Sequence, residues 1–498
     1  MIYKNIRKAL IVFAAVATLQ ACTKKEVIDL TPEFSLDALS NPSSIKQVEE
    51  VLTGAYAGFR NANYYGSGSG TGAGWSLMPD VLSDNLYETA NESLANSRVM
   101  ADWIYDPSTG QTLSFYSAPY GVIAAANIVL RDIDKFTTSA NQLQANRIKG
   151  QAYAIRALAH FDLMRYFANS FDRNSTTELA LGYTTEFTVS AELKPSRLSN
   201  KEYYDKLFSD INTAITLLGN IDQPINAASG LTRPLIDRNA AYAISARINL
   251  YAGNWADAAT AATNALSNRP LATTQGAFSG MYNQTSRGEI IWNVQFEAGQ
   301  GGPTFLVYFV TSSRSYFRPS FDIAVTAGNS GLLQSNDIRY NAFFSIVNGG
   351  LALTKYQGKG TAADGSANFP AIRSGEMYLI RAEANARLGG ANEIAALADL
   401  NALRAARISG YVPVVLAGQA LISAIADERR RELVGEGHRF FDLKRTTRTV
   451  QRGAPCGNTT LTPAGDCSLA PTDREWNLPI HDQIRNANPN LKQNPGYN

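Results

Sequence analysis

The charged cluster from Ile425 to Arg445, IADERRRELVGEGHRFFDLKR, is the densest group of residues that could carry acid–base chemistry. A glycoside hydrolase needs two carboxyl groups, and Glu436 and Asp442 could supply such a pair. The same cluster has a structural interpretation, because Glu428 and Glu432 lie four residues apart on one helix face among arginines that can pair with them. The alternation of charges favours the structural interpretation and leaves a surface glycoside hydrolase as the alternative function.

Other catalytic motifs are absent from the sequence. It contains neither G-x-S-x-G nor a Walker loop, and the glycines between 66 and 74 do not form a dinucleotide-binding fingerprint. It has three histidines and neither C-x-x-C nor H-E-x-x-H. The sequence therefore predicts no catalytic site, no metal site and no cofactor.

The three cysteines have separate expected roles. Cys22 follows a basic segment, an apolar run and Leu19-Gln20-Ala21, a pattern typical of a bacterial lipoprotein signal in which the cysteine is lipidated and the chain is cleaved before it. Cys456 and Cys467 bracket the segment CGNTTLTPAGDC, and in an exported chain they could form a local disulfide. A loop of this size would stabilise the fold by about 3 kcal/mol in the chain-entropy model.

Helical periodicity dominates the chain that must position these residues. Apolar residues recur every three or four positions between 141 and 169. Small residues on both sides of a glycine turn, typical of a tetratricopeptide unit, span 238–267, and a similar pair follows at 375–407. The predicted fold class is mainly α, with tetratricopeptide-like helix pairs in a single large domain, a loop-rich insertion and a few short β-strands.

The segment boundaries follow from shifts in composition. Frequent Gly, Ser, Asn and aromatic residues, with short apolar alternations, interrupt the helical pattern and predict a loop-rich, ligand-facing insertion at about 271–370. Long connections in a helical scaffold usually carry function. The expected organisation is a lipoprotein signal peptide at 1–21, a tether at 22–40 and a helical domain at 41–498.

The charge balance excludes one class of partner. Lysine plus arginine total 45 against 43 acidic residues, a net charge of +2, and removal of the basic signal peptide changes this to −1. Nucleic-acid binding needs a marked basic excess, so it is not expected. The 45% of hydrophobic residues and 18% of charged residues predict a chain that folds.

Three motifs at 371–498 resemble the SusD/RagB family of outer-membrane nutrient-binding lipoproteins. They are GEMYLIRAEANARLGG with ADLNALRAAR, then ERRRELVGEGHRFFDLKR, and finally LPIHDQIRNANPNLKQNPGYN. The segment QAYAIRALAHFDLMRYF and the lipoprotein signal also look like this family, so the resemblance covers nearly the whole mature chain. His481 and Gln483 depart from the residues that the family commonly has in the last motif.

The resemblance implies a surface-exposed lipoprotein without catalytic activity, anchored in the outer membrane through Cys22. It also implies a SusC-like TonB-dependent transporter as partner, to which the protein delivers oligosaccharides or, in some members, peptides. A scaffold that uses its helix pairs to hold partner proteins is a further alternative. The quoted motifs mark the framework of the family, so ligand-binding residues have to be predicted from chemistry.

Candidate ligand-binding residues combine aromatic rings with polar groups in loops. Sugar rings present apolar C–H faces that stack on exposed aromatics, and their hydroxyls need amide, carboxylate or guanidinium partners. Tyr308 and Phe317 stand in apolar runs and are more typical of core, whereas for Trp75, which ends a glycine-rich stretch, binding and burial are even alternatives. The predicted ligand-binding residues are Trp75, Tyr64, Tyr65, Asp84, Asn85, Arg314 and Tyr316.

Overall fold

The computed structural model describes most of the predicted helical domain. The described residues are 41–497 apart from 67–73, 92–97, 170, 189–193, 220, 222–223, 228–229, 299, 301, 304–306 and 327–330. The predicted signal peptide, the lipidation site Cys22 and the tether lie outside the described residues.

Helices make up the largest part of the described chain, because alanine- and leucine-rich stretches favour the helical backbone and place apolar residues on one face. Their bounds are α1 Ile45–Gly58, α2 Met78–Val81, α3 Arg98–Ala101, α4 Gly110–Asp132, α5 Gln142–Phe167, α6 Asn200–Gly219, α7 Arg238–Ala252, α8 Trp255–Ala265, α9 Gln275–Asn283, α10 Ile338–Phe343, α11 Ser374–Leu388, α12 Asn392–Ala405, α13 Gly418–Glu432, α14 Arg439–Arg445 and α15 Asp482–Ala487.

The long helices pack in sequence order, each against its neighbours: α1 with α4, α4 with α5, α5 with α6, α6 with α7, α7 with α8, α8 with α11, and α11 with α12 and α13. Ala243 and Ala258 are fully buried in α7 and α8, where small residues let two helices approach closely. Gly253 ends α7 with a φ of +70°, which allows the turn into α8. The predicted fold class, mainly α with tetratricopeptide-like pairs and few strands, is confirmed.

Short antiparallel strands lie between and beside the helices. Their bounds are β1 Leu86–Glu88, β2 Ile290–Val294, β3 Tyr308–Phe309, β4 Arg314–Ser315, β5 Phe317–Pro319, β6 Phe344–Val347, β7 Gly350–Leu353, β8 Phe369–Arg373, β9 Val450–Gln451 and β10 Ser468–Leu469. In the described ranges they form two-stranded sheets that pair β1 with β5, β2 with β8, β3 with β4, β6 with β7, and β9 with β10. The pairing of β1 with β5 joins segments that are more than 200 residues apart in the chain.

One hydrophobic core runs through most of the helical stack and includes residues from both ends of the described chain. Within the described ranges, Gly110–Phe136 is the one segment long and apolar enough to cross a membrane, and half of its apolar window is buried in the protein. This segment contains α4, which packs against α1 and α5 as part of the core.

The C-terminal segment returns to the end of α5. The Lys444 ammonium donates to the carbonyl of Arg165 at 2.8 Å, and the Asn494 side chain donates to that of Phe167 at 2.9 Å. The Leu478 amide donates a hydrogen bond to the Tyr166 carbonyl at 2.9 Å. These contacts supply donors to the last carbonyls of α5, which have no partner within the helix.

Candidate ligand-binding face

Tyr64, Tyr65 and Trp75 lie in the core, where their exposed fractions are 0%, 4% and 2%. The Trp75 ring meets Tyr64 and Tyr166 edge to face, with ring centroids 5.3 and 4.2 Å away. The hydroxyls of both tyrosines donate to Asp162, at 2.7 and 2.9 Å. The prediction of an exposed aromatic platform at these residues is wrong, because neighbouring rings cover the surfaces on which a sugar would stack.

Asp84 and Asn85 are also buried, immediately before β1. The Asp84 carboxylate accepts two hydrogen bonds from Arg439, both of 2.7 Å, and the Asn85 amide donates to Asp80 and accepts from Arg430. Burial alone would raise the pKa of Asp84, but Arg439 and Arg430 hold it below its usual value. These two residues therefore fix α13 and α14 to the start of β1 and are not open to a ligand.

The strand pair that follows carries two aromatic rings toward solvent. Tyr87 is half-buried in β1 opposite Arg318 of β5, and Phe321, two residues beyond β5, is 40% exposed. The two rings meet edge to face with centroids 5.9 Å apart. The Phe321 amide donates to the carbonyl of Ala454 at 3.1 Å, which holds this ring beside the C-terminal part of the chain.

Arg314 and Tyr316 lie on the adjoining part of the same surface. The exposed Arg314 guanidinium lies 5.8 Å from the centroid of the Tyr316 ring, which is 7% exposed. The Thr89 amide, just after β1, donates to the Tyr316 carbonyl at 2.9 Å. The structure thus brings these two predicted residues to the edge of the β1–β5 pair, and their contact with a ligand stays a prediction.

A disulfide joins Cys456 to Cys467, a pair for which the sequence left disulfide formation open, and closes a loop against the strand pair. Leu461 in this disulfide loop is 39% exposed, and its carbonyl accepts from the Ala90 amide at 3.0 Å. The cleft between the loop and β1 has a volume of only about 30 Å³, the space of one water molecule. A ligand would therefore lie across the rings on the surface, which we call the ribbon face: Tyr87, Arg314, Tyr316, Phe321 and the disulfide loop.

Sequence reasoning missed Tyr87 and Phe321, although a local signal was present for each. Leu86 and Glu88 are both buried, and Tyr87 stands between them. Because successive side chains of a strand point to opposite faces, the ring of Tyr87 faces away from its two buried neighbours. Phe321 follows Pro319 and Ser320, where a strand is expected to end and a ring can turn outward.

The two carboxylates that the alternative hydrolase function would use, Glu436 and Asp442, are buried and ion-paired. Asp442 accepts hydrogen bonds from Arg429 at 2.8 and 2.9 Å and from Arg445 at 2.9 Å. Glu436 accepts from Arg373 at 2.8 Å and from Lys355 at 2.5 Å. Burial would raise the pKa of both groups, yet their cationic partners hold each pKa below its usual value. Both carboxylates stay ionised and engaged, which fits ion pairing rather than proton transfer.

Glu432 is the centre of a larger buried charge network. Its carboxylate pairs with Arg339 and Arg407, at 2.8 Å each, and with Arg373. Arg339 also pairs with Glu428 at 2.7 Å, and all five side chains are fully buried. Because Arg373 ends β8, Arg339 lies in α10 and Glu432 ends α13, the network fixes the loop-rich segment to the helical stack.

Two family models match different parts of the chain. One, described as "SusD family", matches residues 324–497, and one, described as "Starch-binding associating with outer membrane", matches residues 36–250. A curated relative, SusD-like protein P38 of Formosa agariphila, is 23% identical over 99% of each chain.

Solved structures share the fold. A putative sugar binding protein from Bacteroides vulgatus has a TM-score of 0.74 at 23% identity and covers 91% of this chain and 99% of its own. A SusD superfamily protein from Bacteroides thetaiotaomicron has a TM-score of 0.76 at 22% identity, with 91% and 100% covered. At these identities the similarity of the structures establishes the common fold.

Proposed function

The chain belongs to the SusD/RagB family, and on that basis we propose that it is a cell-surface, lipid-anchored binding protein that captures oligosaccharides or peptides. It delivers them to a SusC-like TonB-dependent transporter in the outer membrane. The lipoprotein signal that ends at Cys22 supports the anchor, and the description of the N-terminal match supports association with the outer membrane. A relative of the same fold is described as a putative sugar binding protein, which supports a carbohydrate ligand.

The observation that carries binding is the exposed ring of Phe321 beside the ring of Tyr87 on the ribbon face. An aromatic face of this exposure can stack on the C–H face of a sugar, and the flanking edge of a second ring limits how the sugar is oriented. Arg314, exposed in the neighbouring β4, supplies a donor for hydroxyl or carbonyl oxygens. The rigid strand pair and the disulfide loop hold this surface in one shape before a ligand arrives.

The protein acts in this proposal without catalysis. The carboxylates of Glu436 and Asp442, which the hydrolase alternative requires, are engaged by arginine and lysine side chains inside the protein. Incubation of the purified protein with starch, laminarin, xylan and dextran should release no reducing ends. Accumulation of shortened products would contradict the non-catalytic role.

Affinity electrophoresis through gels that contain each of these polysaccharides tests the ribbon face. We expect retardation by at least one of them, or else binding of a casein-derived peptide mixture in calorimetry. Phe321→Ala should weaken the affinity about tenfold, the effect of losing one stacked ring worth about 1.4 kcal/mol. The melting temperature should remain within a few degrees of the wild-type value, because the ring is partly exposed.

Phe171→Ala provides a matched control, since Phe171 is 39% exposed and lies outside the ribbon face. It should leave retardation unchanged. Equal binding by wild-type protein and the Phe321 variant would remove the ribbon face as the ligand site. Copurification from membranes of a TonB-dependent transporter would support delivery, whereas copurification of other proteins without a soluble ligand would favour the scaffold alternative.

A further inference from the structure

Four arginines line one pocket beside the ends of α6, α7 and α8. The pocket has a volume of about 460 Å³, and Arg233, Arg238, Arg269 and Arg287 contribute to its wall. Among its described lining residues, Asp237 is the one acidic group. The charged side chains among the described lining residues of this arginine pocket therefore sum to a net charge of +3.

The single carboxylate is already engaged. One oxygen of Asp237 accepts from the Ala240 amide at 2.9 Å and caps the N-terminus of α7. The other accepts from Arg269 at 2.9 Å. Both oxygens of Asp237 are therefore occupied, and its single negative charge is paired with Arg269.

Two of the guanidinium groups are held in place by neighbouring groups. Arg287 donates to the carbonyl of Ala227 at 3.1 Å and to that of Gly230. The guanidinium of Arg238 lies 5.4 Å from the centroid of the Tyr242 ring. These contacts orient both guanidinium groups in the pocket wall.

Arg233 is the least satisfied of the four. Its Nε is buried and has no hydrogen-bond partner in the described part of the chain. Its backbone is nevertheless fixed, because its amide donates to the Asn293 side chain at 2.6 Å and its carbonyl accepts from the Asn293 amide at 3.1 Å. Burial and the charges of Arg269 and Arg287 lower the pKa of Arg233 to about 10.

The arrangement contrasts with the buried charge network, where Arg339, Arg373 and Arg407 each pair with glutamate carboxylates. A buried guanidinium nitrogen on a fixed backbone that has no acceptor among the described residues requires an explanation, since buried polar atoms are normally satisfied. An anion that enters the pocket would provide the missing acceptor, and the planar guanidinium favours oxyanions that it can bind through two parallel hydrogen bonds.

We propose that the arginine pocket binds the sulfate ester or carboxylate group of an acidic polysaccharide, with Arg233 as the main ligand-binding residue. The volume accommodates about one sugar residue with its anionic substituent. The polysaccharide as ligand class rests on the proposed function, but the pocket shares no residue with the ribbon face. The arginine pocket would hold an anionic group of the polysaccharide, while the apolar faces of other sugar rings stack on the ribbon face.

The test compares dextran sulfate with dextran, which has the same backbone without the charged groups, by affinity electrophoresis and calorimetry. Polygalacturonate serves as the carboxylate probe. Wild-type protein should bind dextran sulfate or polygalacturonate and should not bind dextran through this pocket. Arg233→Gln should weaken that binding at least about tenfold. Its melting temperature without ligand should not fall, because the described residues offer no acceptor to the buried Nε of Arg233.

Lys46→Gln is the matched control, because it removes one positive charge at a residue of α1 whose side chain is 86% exposed. Equal weakening by this variant and by Arg233→Gln would show nonspecific attraction and overturn the proposal. Binding of sodium sulfate alone, or of vesicles with anionic lipid in place of the polysaccharides, would overturn the assignment of the ligand class. Absence of any Arg233-dependent binding would overturn the pocket itself.

The two sites can fail separately. Phe321→Ala should retain its response to dextran sulfate, and Arg233→Gln should retain any binding of a neutral glycan. If no neutral glycan binds while Arg233-dependent binding of dextran sulfate persists, the ribbon face fails and the arginine pocket stands. If a neutral glycan binds and no Arg233-dependent binding of dextran sulfate is found, the proposed function is supported and the arginine pocket is rejected.

Discussion

Trp75 illustrates how far one residue's role depends on contacts outside its own segment. The glycine-rich stretch before it predicted an exposed ring as readily as a buried one, and neighbouring sequence could not decide between them. The deciding contacts come from Phe115 and Tyr166, which are 40 and 91 positions further along the chain. Single-sequence reasoning recognises that an aromatic residue is important, but it cannot tell which distant ring covers it.

We expect Trp75→Ala to destabilise the protein by about 3–5 kcal/mol, because it removes a fully packed ring and leaves a cavity. Urea unfolding followed by circular dichroism measures this loss. Glycan retention per folded molecule should be unchanged. A variant of normal stability that no longer binds glycan would restore Trp75 as a ligand-binding residue.

His160 predicts how stability responds to acid. It is fully buried, stacks on Tyr183 with ring centroids 3.8 Å apart, and has Nε2 3.2 Å from the Thr184 carbonyl. Burial lowers the pKa of His160 from 6.5 to about 3. Between these values the unfolded chain binds a proton that the folded chain does not, so the group reduces stability as the pH falls below 6.5.

His160→Gln should therefore flatten the pH dependence of the unfolding free energy between pH 6.5 and 4, by up to about 1.4 kcal/mol per pH unit. Gln can still donate to the Thr184 carbonyl, which limits the loss of packing. Urea unfolding of both proteins at four pH values gives the comparison. Parallel profiles would show that His160 does not contribute to acid sensitivity.

At the scale of the element, the sequence predicted best where chemistry is local. The glycine turn between α7 and α8, the disulfide between Cys456 and Cys467, and the ion-pairing role of the cluster in α13 and α14 follow from residues close together in the chain. The ribbon face does not, because β1 and β5 meet only through a pairing across more than 200 residues. Its two rings could be found only once that register was known.

The buried charge network yields a prediction for α13. Glu432→Gln leaves Arg339, Arg373 and Arg407 with less negative charge in a site that water does not reach, so it should cost about 3–5 kcal/mol of stability. Asp205→Asn, which breaks an exposed pair with Lys201, should cost less than about 1 kcal/mol. Chemical denaturation of the two variants measures both effects. Similar small losses would mean that the network is not a source of stability.

For the whole molecule, periodicity was sufficient to predict a helical stack, since amphipathic helices with small residues at their crossings have few other ways to bury their apolar faces. The order in which the helices pack follows the order of the chain, as expected for paired repeats. Composition could not reveal how the C-terminal motifs use their polar groups. His481, one of the departures from the family pattern, accepts from the Gln483 amide at 3.1 Å and caps α15.

The return of the C-terminal segment to the end of α5 has a consequence for the order of folding. The donors that satisfy Arg165 and Phe167 come from residues 279 and 327 positions later, so the last turn of α5 stays incomplete until synthesis is nearly finished. Contacts of such high contact order form slowly, because a long loop must close before they contribute. Chains interrupted before Asn494 would present this open helix end to proteases, which makes an intact C-terminal segment a condition of the protein's survival.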